Sequence, residues 1–481
     1  MTGWLFIRDY SIILVITRQV GNVMNKPRIQ SRYIYRWLCM AALCLIATAM
    51  FFFVWYRFVS VNNNTGSLLG AGNLLMATGI YLILYYFIGK SLKAFTIGVD
   101  RKANLLASQT MTLFATDFIE LFVSCAITGQ FRYFPNFLWR YLLLAIVQSV
   151  VLCLLTLPLV DLYRKLFKPQ QILEIYGDNT HEAISFMDGR PDKYHIVKSV
   201  SIAEGVDNIL PMLEEYEAVL LNDVPSERKN DILKECFRIG KRAYFTPKIS
   251  DIIGKNSENI NLFDTPLYLC RNNGLRFHQL FAKRAFDIAF SLIGLIITSP
   301  ILLITALAIK LEDGGPVFFR QDRVTIGGKV FSILKFRSMI VDAEKDGRPH
   351  PAGEADDRIT RVGHIIRPTR IDELPQLINI IKGDMSIVGP RPERVEHVEK
   401  YTKDIPEFVF RLKVKGGLTG VAQVFGKYNT SPLSKLKMDL YYITNYSLLL
   451  DLQILFETVK ILVQKDSTEG FSEEKQKEMH E

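Results

Sequence analysis

The chain has 481 residues, enough for two or three separately packed units, and 49% of them are hydrophobic, with a mean hydropathy of +0.15. That is high for a soluble protein, and the excess is concentrated before Pro158 and between residues 286 and 309. A net charge of +9 favours an anionic partner or lipid surface, while six scattered cysteines without a CxxC pair, and no HExxH, exclude a disulfide framework and a zinc centre.

Residues 1–32 read as an N-terminal cytoplasmic segment. Arg8 and Asp9 interrupt its apolar run and no small-residue cleavage site follows, so no secretory signal is expected. Within residues 33–163, four apolar segments (35–58, 68–88, 105–128 and 138–160) are each long enough to cross a hydrocarbon core of ~30 Å. Lys26, Arg28, Arg32 and Arg36 precede the first segment. Lys90, Lys93, Arg101 and Lys102 lie between the second and third, and Arg164, Lys165 and Lys168 follow the fourth. The positive-inside rule puts both ends of this block in the cytoplasm. Asp117 and Glu120 fall in the third span, where a pair facing neighbouring helices is a better expectation than a transport path.

Residues 168–272 change to short apolar runs alternating with amphipathic stretches. Runs at 171–176, 194–200, 218–221 and 242–245 read as strands, with helical patterns at 206–216 and 226–240 between them. The expectation is a small Rossmann-like α/β domain. After the first strand comes Gly177-Asp178-Asn179-Thr180, with one glycine where GxGxxG would stand, so the domain is expected to be structural or regulatory. An NAD-dependent sugar epimerase or dehydratase would also need Tyr and Lys one helical turn apart. That spacing occurs at Tyr86/Lys90, Tyr194/Lys198 and Tyr244/Lys248, and none of these is expected to present both side chains on one helix face.

Residues 286–309 are apolar apart from Asp287, yet Lys283, Arg284 and Lys310 mark both ends as cytoplasmic. Ser299-Pro300 sits in the middle, where proline removes an amide donor and clashes with the carbonyl of Ile296. A re-entrant helix hairpin over residues 283–311 is expected, dipping into one leaflet and returning. It would open a mixed α/β catalytic domain spanning residues 277–465, followed by a charged, disordered tail at 466–481. Next come two strand-like runs, 317–321 and 329–336, joined near Gly327-Gly328. They carry Arg320, Arg323, Lys329, Lys335 and Arg337, which suit phosphate contacts or a solvated face about equally.

Arg367-Pro-Thr-Arg-Ile-Asp372-Glu373-Leu-Pro-Gln-Leu leads into an amphipathic helix. Its expected apolar stripe is Leu374, Leu377, Ile378 and Ile381, with Asp372 as N-cap and Gly383 as terminator. An acidic pair at a helix start is explained by capping alone. Its neighbours Arg367, Arg370 and Gly389-Pro390-Arg391-Pro392 instead favour a phosphoryl-transfer site, because a planar guanidinium engages phosphate oxygens bidentately.

These motifs, with Lys283-Arg284…Asp287, Lys335-Phe-Arg-Ser-Met339, Lys382-Gly-Asp-Met-Ser386, Leu418-Thr-Gly-Val-Ala-Gln423 and the Asp439…Tyr442…Asn445…Ser447…Asp451 run, resemble the bacterial sugar transferases called monotopic polyprenyl-phosphate phosphoglycosyl transferases. The preceding membrane block and Rossmann-like domain resemble the family's long form, which initiates exopolysaccharide, capsule or O-antigen units. The resemblance implies a multi-pass protein of the bacterial inner membrane with its catalytic domain on the cytoplasmic face. It implies transfer of a hexose 1-phosphate, from UDP-glucose or UDP-galactose, to undecaprenyl phosphate. Asp372 would be the nucleophile of a ping-pong reaction releasing UMP, and Asp372 with Glu373 would hold Mg²⁺. Arg391, Lys335, Arg337, Arg320, Lys427 and Arg367 would bind substrate, and Ser299-Pro300 would break the re-entrant helix. A homodimer among membrane lipids is expected, with no nucleic-acid partner. Two departures stand out: Gly416 replaces a usual proline, implying a looser loop, and Lys427 replaces a usual arginine. The competing reading is a non-catalytic scaffold for polysaccharide assembly.

Overall fold

The structure, a computed structural model, describes residues 28–62, 70–129, 131–177, 187, 190–262, 265–270, 274–341, 343, 356, 358–426 and 430–463. The chain divides into two compact units, Met1–Thr246 and Pro247–Glu481.

The first unit opens with four long helices: α1 (Arg28–Val54, continued by a π turn Trp55–Val59), α2 (Ala71–Ser91), α3 (Lys102–Thr128) and α4 (Phe134–Leu166). All four are long and apolar enough to cross a membrane. Water-driven burial does not hold such helices together in lipid, so packing and polar contacts between them must. The Phe51 and Tyr81 rings stack at 4.2 Å. The Gln148 amide donates to the Ala47 carbonyl at 2.9 Å and accepts from the Tyr81 hydroxyl at 3.2 Å. Asp117 and Glu120 are buried inside the block, 2% and 0% exposed, as expected for residues turned toward neighbouring helices. One expectation needs correction. Tyr86 and Lys90 do share a helix face, the ammonium 5.9 Å from the ring, but within α2, a candidate membrane span.

The same unit continues with β1 (Gln170–Tyr176), β2 (Tyr194–Ser201), β3 (Ala218–Asn222), helix α5 (Ser226–Arg238) and β4 (Arg242–Phe245). The strands form a parallel sheet in the order β2-β1-β3-β4, and every residue of β3 is buried. Gly177 at the end of β1 has a packing reason to be glycine: a Cβ there would lie 2.3 Å from the Asp223 carbonyl oxygen. Residues 178–180 lie outside the described residues.

The second unit begins earlier than the expected boundary at 272. Helix α6 (Ile249–Lys255) leaves the sheet behind, burying Ile252 against Phe408, Leu436 and Leu440. Residues 247–272, which include an antiparallel ribbon of Glu258–Leu262 with Thr265–Leu269, therefore belong to the later unit. Next, α7 (Phe277–Asp313) runs as one helical element with Pro300 inside it. Its continuity has a local cause. The Ile296 carbonyl, which would have received the missing Pro300 amide, accepts instead from the Ser299 hydroxyl at 2.8 Å. Both arms of α7 touch the same unit. Before Pro300, Lys283 pairs with Asp451 at 2.7 Å and Asp287 accepts from the Ser386 hydroxyl and the Ile387 amide. After it, Ile309 packs with Phe336 and Ile366.

Strands β5 (Phe318–Val324) and β6 (Val330–Phe336) form the expected antiparallel ribbon. Helix α8 (Gln376–Lys382), strand β7 (Ser386–Val388), strand β8 (Gly417–Thr419) and helices α9 (Pro432–Thr444) and α10 (Leu448–Val463) follow, among shorter helical segments. The buried face of α8 is Gln376, Leu377, Asn379 and Ile380, rotated from the expected stripe. Asn379 shifts the face: its amide accepts from the Leu334 amide at 2.9 Å and donates to the Ser332 carbonyl at 3.0 Å, bonding α8 to β6.

Candidate active site

Asp372 and Glu373 lie on a 3₁₀ turn, Ile371–Glu373, immediately before α8. Asp372 is not the N-cap of that helix. Arg370, in the left-handed region at φ 54°, starts the turn, and Pro375 precedes α8. The amides that a cap would take are already used, Leu374 bonding the Ile371 carbonyl and Leu377 the Leu374 carbonyl. The acidic pair is therefore not consumed by capping.

The two carboxylates are treated very differently by their surroundings. One Glu373 oxygen accepts from Lys335 at 2.8 Å and from Arg391 at 2.9 Å, and the other lies 3.9 Å from Arg370. Burial opposes its ionisation, yet Arg391 and Lys335 hold its carboxyl far below the usual range. Among the described residues no side chain donates a hydrogen bond to Asp372. Burial pushes its carboxyl up to about 6, with Lys335 opposing the rise and ionised Glu373 adding to it. Neighbouring carboxyls with such divergent proton affinities are the arrangement in which two acids take different roles.

A strand and a proline-stiffened segment supply the two cations on Glu373. Lys335 comes from β6 and Arg391 from Gly389-Pro-Arg-Pro392, the segment after β7. That segment passes the start of β8 so closely that a Cβ on Gly417 would lie 2.1 Å from the Gly389 amide nitrogen. Arg411 donates to the Arg391 carbonyl at 2.8 Å and pairs with Asp439 at 2.8 Å, both partners almost fully buried. Gly416 is not loose. Its carbonyl accepts from the Ser386 amide at 2.8 Å, and its amide donates to the Thr325 hydroxyl at 3.0 Å, a bond a proline could not make.

The other expected site residues scatter. Arg367 is half-buried and close enough to Asp372 to favour its ionised form. Arg337 is buried and turns to Asp313 and the Gly315 backbone. Arg320 is exposed and pairs across the ribbon with Leu334, on the opposite face from Lys335, whose partner is Phe319. Arg323 shares the Lys335 face, donating to the Pro392 carbonyl at 3.1 Å. Burial and nearby Arg391 lower its proton affinity to about 10. Strand alternation, applied from Lys335 across the ribbon, would have preferred Arg323 to Arg320. Arg411 carried no comparable signal, and Asp439, though part of a motif run, gave no sign of its partner, because they meet Arg391 only through the fold. Lys427 lies outside the described residues.

A family model described as "Bacterial sugar transferase" matches residues 278–465. A UDP-N-acetylgalactosamine-undecaprenyl-phosphate N-acetylgalactosaminephosphotransferase of Aeromonas hydrophila is 45% identical over 186 residues, covering 38% of this chain and 44% of the relative. A UDP-glucose:undecaprenyl-phosphate glucose-1-phosphate transferase of Klebsiella pneumoniae is 43% identical over 220 residues, covering 44% and 45% of the two chains. One of the same description from Caulobacter vibrioides is 44% identical over 191 residues, 38% of this chain and 71% of the relative. The chain thus spans less than half the length of the first two relatives.

Proposed function

Because this chain belongs to the bacterial sugar transferase family, we propose that it transfers a sugar 1-phosphate from a UDP-sugar to undecaprenyl phosphate, with Asp372 as the nucleophile. An Asp372 carboxylate oxygen attacks the sugar-bearing β-phosphorus. The bond from that phosphorus to the bridging oxygen breaks, UMP leaves, and an aspartyl phosphosugar remains. An oxygen of undecaprenyl phosphate then attacks the same phosphorus, releasing Asp372 and forming undecaprenyl diphosphosugar. One difficult displacement becomes two easier ones.

The observation that carries this reading is the asymmetry of the acidic pair. Glu373 is locked ionised by Lys335 and Arg391, while Asp372 beside it is half-buried and receives no side-chain hydrogen bond among the described residues, with the raised basicity of a better nucleophile. Arg391 and Arg367 are assigned to the diphosphate. A magnesium ion would add charge neutralisation of the departing UMP phosphate. The donor set fits such an ion, since Asp372 and the less engaged Glu373 oxygen are hard ligands and magnesium usually takes one or two carboxylates plus substrate phosphates. The sugar is assigned as glucose or galactose; relatives carry names for both and for N-acetylgalactosamine. We assign α7 as a re-entrant helix bent at Pro300, a reading supported by contacts of both its arms with one unit, and the site to the cytoplasmic face of the inner membrane. The test is a panel of UDP-sugars with undecaprenyl phosphate and Mg²⁺, scored by UMP release. Turnover of UDP-glucose or UDP-galactose is expected, and release from no UDP-sugar would overturn the proposal.

A further inference from the structure

The first unit carries a cavity of about 730 Å³, lined entirely by its own residues. It lies where the start of α1, the turn between α2 and α3 and the end of α4 meet the beginnings of β1, β2 and β4. Five basic residues line it: Arg32, Arg36, Lys168, Lys193 and Arg242. The single acid in the lining, Asp192, is already committed, at 2.9 Å each, to Arg164 and Arg190, neither of which lines the cavity. Five cations facing one cleft, with its only lining carboxylate engaged elsewhere, favour an anion there.

The guanidinium groups point to the same conclusion. Arg36 donates to the Tyr163 hydroxyl at 2.7 Å and Arg32 to the Lys168 carbonyl at 2.7 Å, which fixes both forks. The Nε of each is nevertheless buried with no hydrogen-bond partner. A buried N–H without an acceptor is a standing cost to the fold, and the two guanidinium groups that carry it line the cavity. Gly98 shapes the wall, because a Cβ there would lie 2.1 Å from the Tyr163 ring. Aromatic rings of Tyr163, Phe167 and Tyr244 supply an apolar side to an otherwise cationic space.

We propose that this cavity binds a phosphate group held by Arg32, Arg36, Lys193 and Arg242, all residues of the first unit. The chemistry is common to an anionic phospholipid headgroup, offered at the ends of apolar helices, and to a soluble phosphate. The proposal does not depend on the transferase reading, since no residue of the acidic pair's surroundings takes part.

The test uses the full chain purified in detergent, with two probes. Native mass spectrometry after incubation with phosphatidylglycerol, against phosphatidylcholine as control, reads the lipid source. Equilibrium dialysis with inorganic phosphate reads the soluble one. Binding of either probe to the wild type is expected, and Arg36→Gln with Arg242→Gln should weaken it about tenfold or more, the scale of lost charge-assisted hydrogen bonds. Val99→Trp, which fills the cavity and keeps every charge, should do the same, and it stands in if the double variant fails to fold. Selective phosphatidylglycerol retention assigns a lipid, and phosphate binding alone assigns a soluble ligand. Failure of the wild type to bind either probe above control overturns the proposal, as does binding unchanged in the folded variants.

Discussion

Both the parallel sheet of the first unit and the transferase domain bury a carboxylate, but they satisfy it in different ways. Glu174, fully buried on β1, accepts from the Ser199 hydroxyl at 2.7 Å and the Asn222 amide at 3.1 Å. Both donors are neutral and belong to neighbouring strands, so the carboxylate serves to join the sheet. Glu373 is satisfied by two full cations, and among the described residues no side chain donates a hydrogen bond to its neighbour Asp372. A buried acid with neutral donors on adjacent strands is architecture. An ion-locked acid beside an unengaged one is an arrangement that spends stability on reactivity.

That contrast is broken most severely at Asp372. Asp372→Asn should lower UMP release by about 10³-fold or more while leaving the melting temperature unchanged or raised. The stability sign follows from the raised carboxyl. Between its ordinary value of 3.8 and about 6 the folded chain binds the proton that the unfolded chain has lost, so ionised Asp372 opposes folding above that window. Glu174→Gln should do the reverse, costing about 1–3 kcal/mol of stability in denaturant titrations with transfer rate per folded molecule retained.

Glu373→Gln comes next in size, with about a 10²-fold loss of turnover, since it releases both Lys335 and Arg391 from fixed positions. Arg411→Ala tests the support behind Arg391. It leaves Asp439 buried and unpaired, at about 3–5 kcal/mol in stability. Arg391→Lys, which keeps charge but loses the fork, should raise the KM for UDP-sugar about tenfold. The smallest effect sharpens the comparison through pH. Turnover should fall as pH drops through about 6, where Asp372 takes up its proton, and Glu373, held far lower by Arg391 and Lys335, should not contribute in that window.

Much of the sheet domain was legible because its information is local. Short apolar runs between amphipathic stretches located all four strands to within a residue or two. The acidic pair was legible for a different reason, as charges crowded beside proline-stiffened turns. What escaped was the geometry that depends on residues far apart in the chain. Asn379 rotates α8 by bonding a strand more than 40 residues upstream, and no periodicity in α8 shows that. Arg411 and Asp439 act on Arg391 through its backbone carbonyl, a contact that leaves no motif. Arg320 and Arg323 differ only in which face of the ribbon they occupy, and that depends on a register fixed by the turn at Gly327-Gly328.

The central claim is that the Asp372 carboxylate itself takes up the phosphosugar, and mixing enzyme with UDP-sugar in the absence of any lipid acceptor tests it most directly. One equivalent of UMP should be released in a burst, and peptide mass spectrometry should find one phosphohexose on the fragment containing Asp372. UMP release that waits for undecaprenyl phosphate, with no modified peptide and with undiminished turnover in Asp372→Asn, would contradict the account.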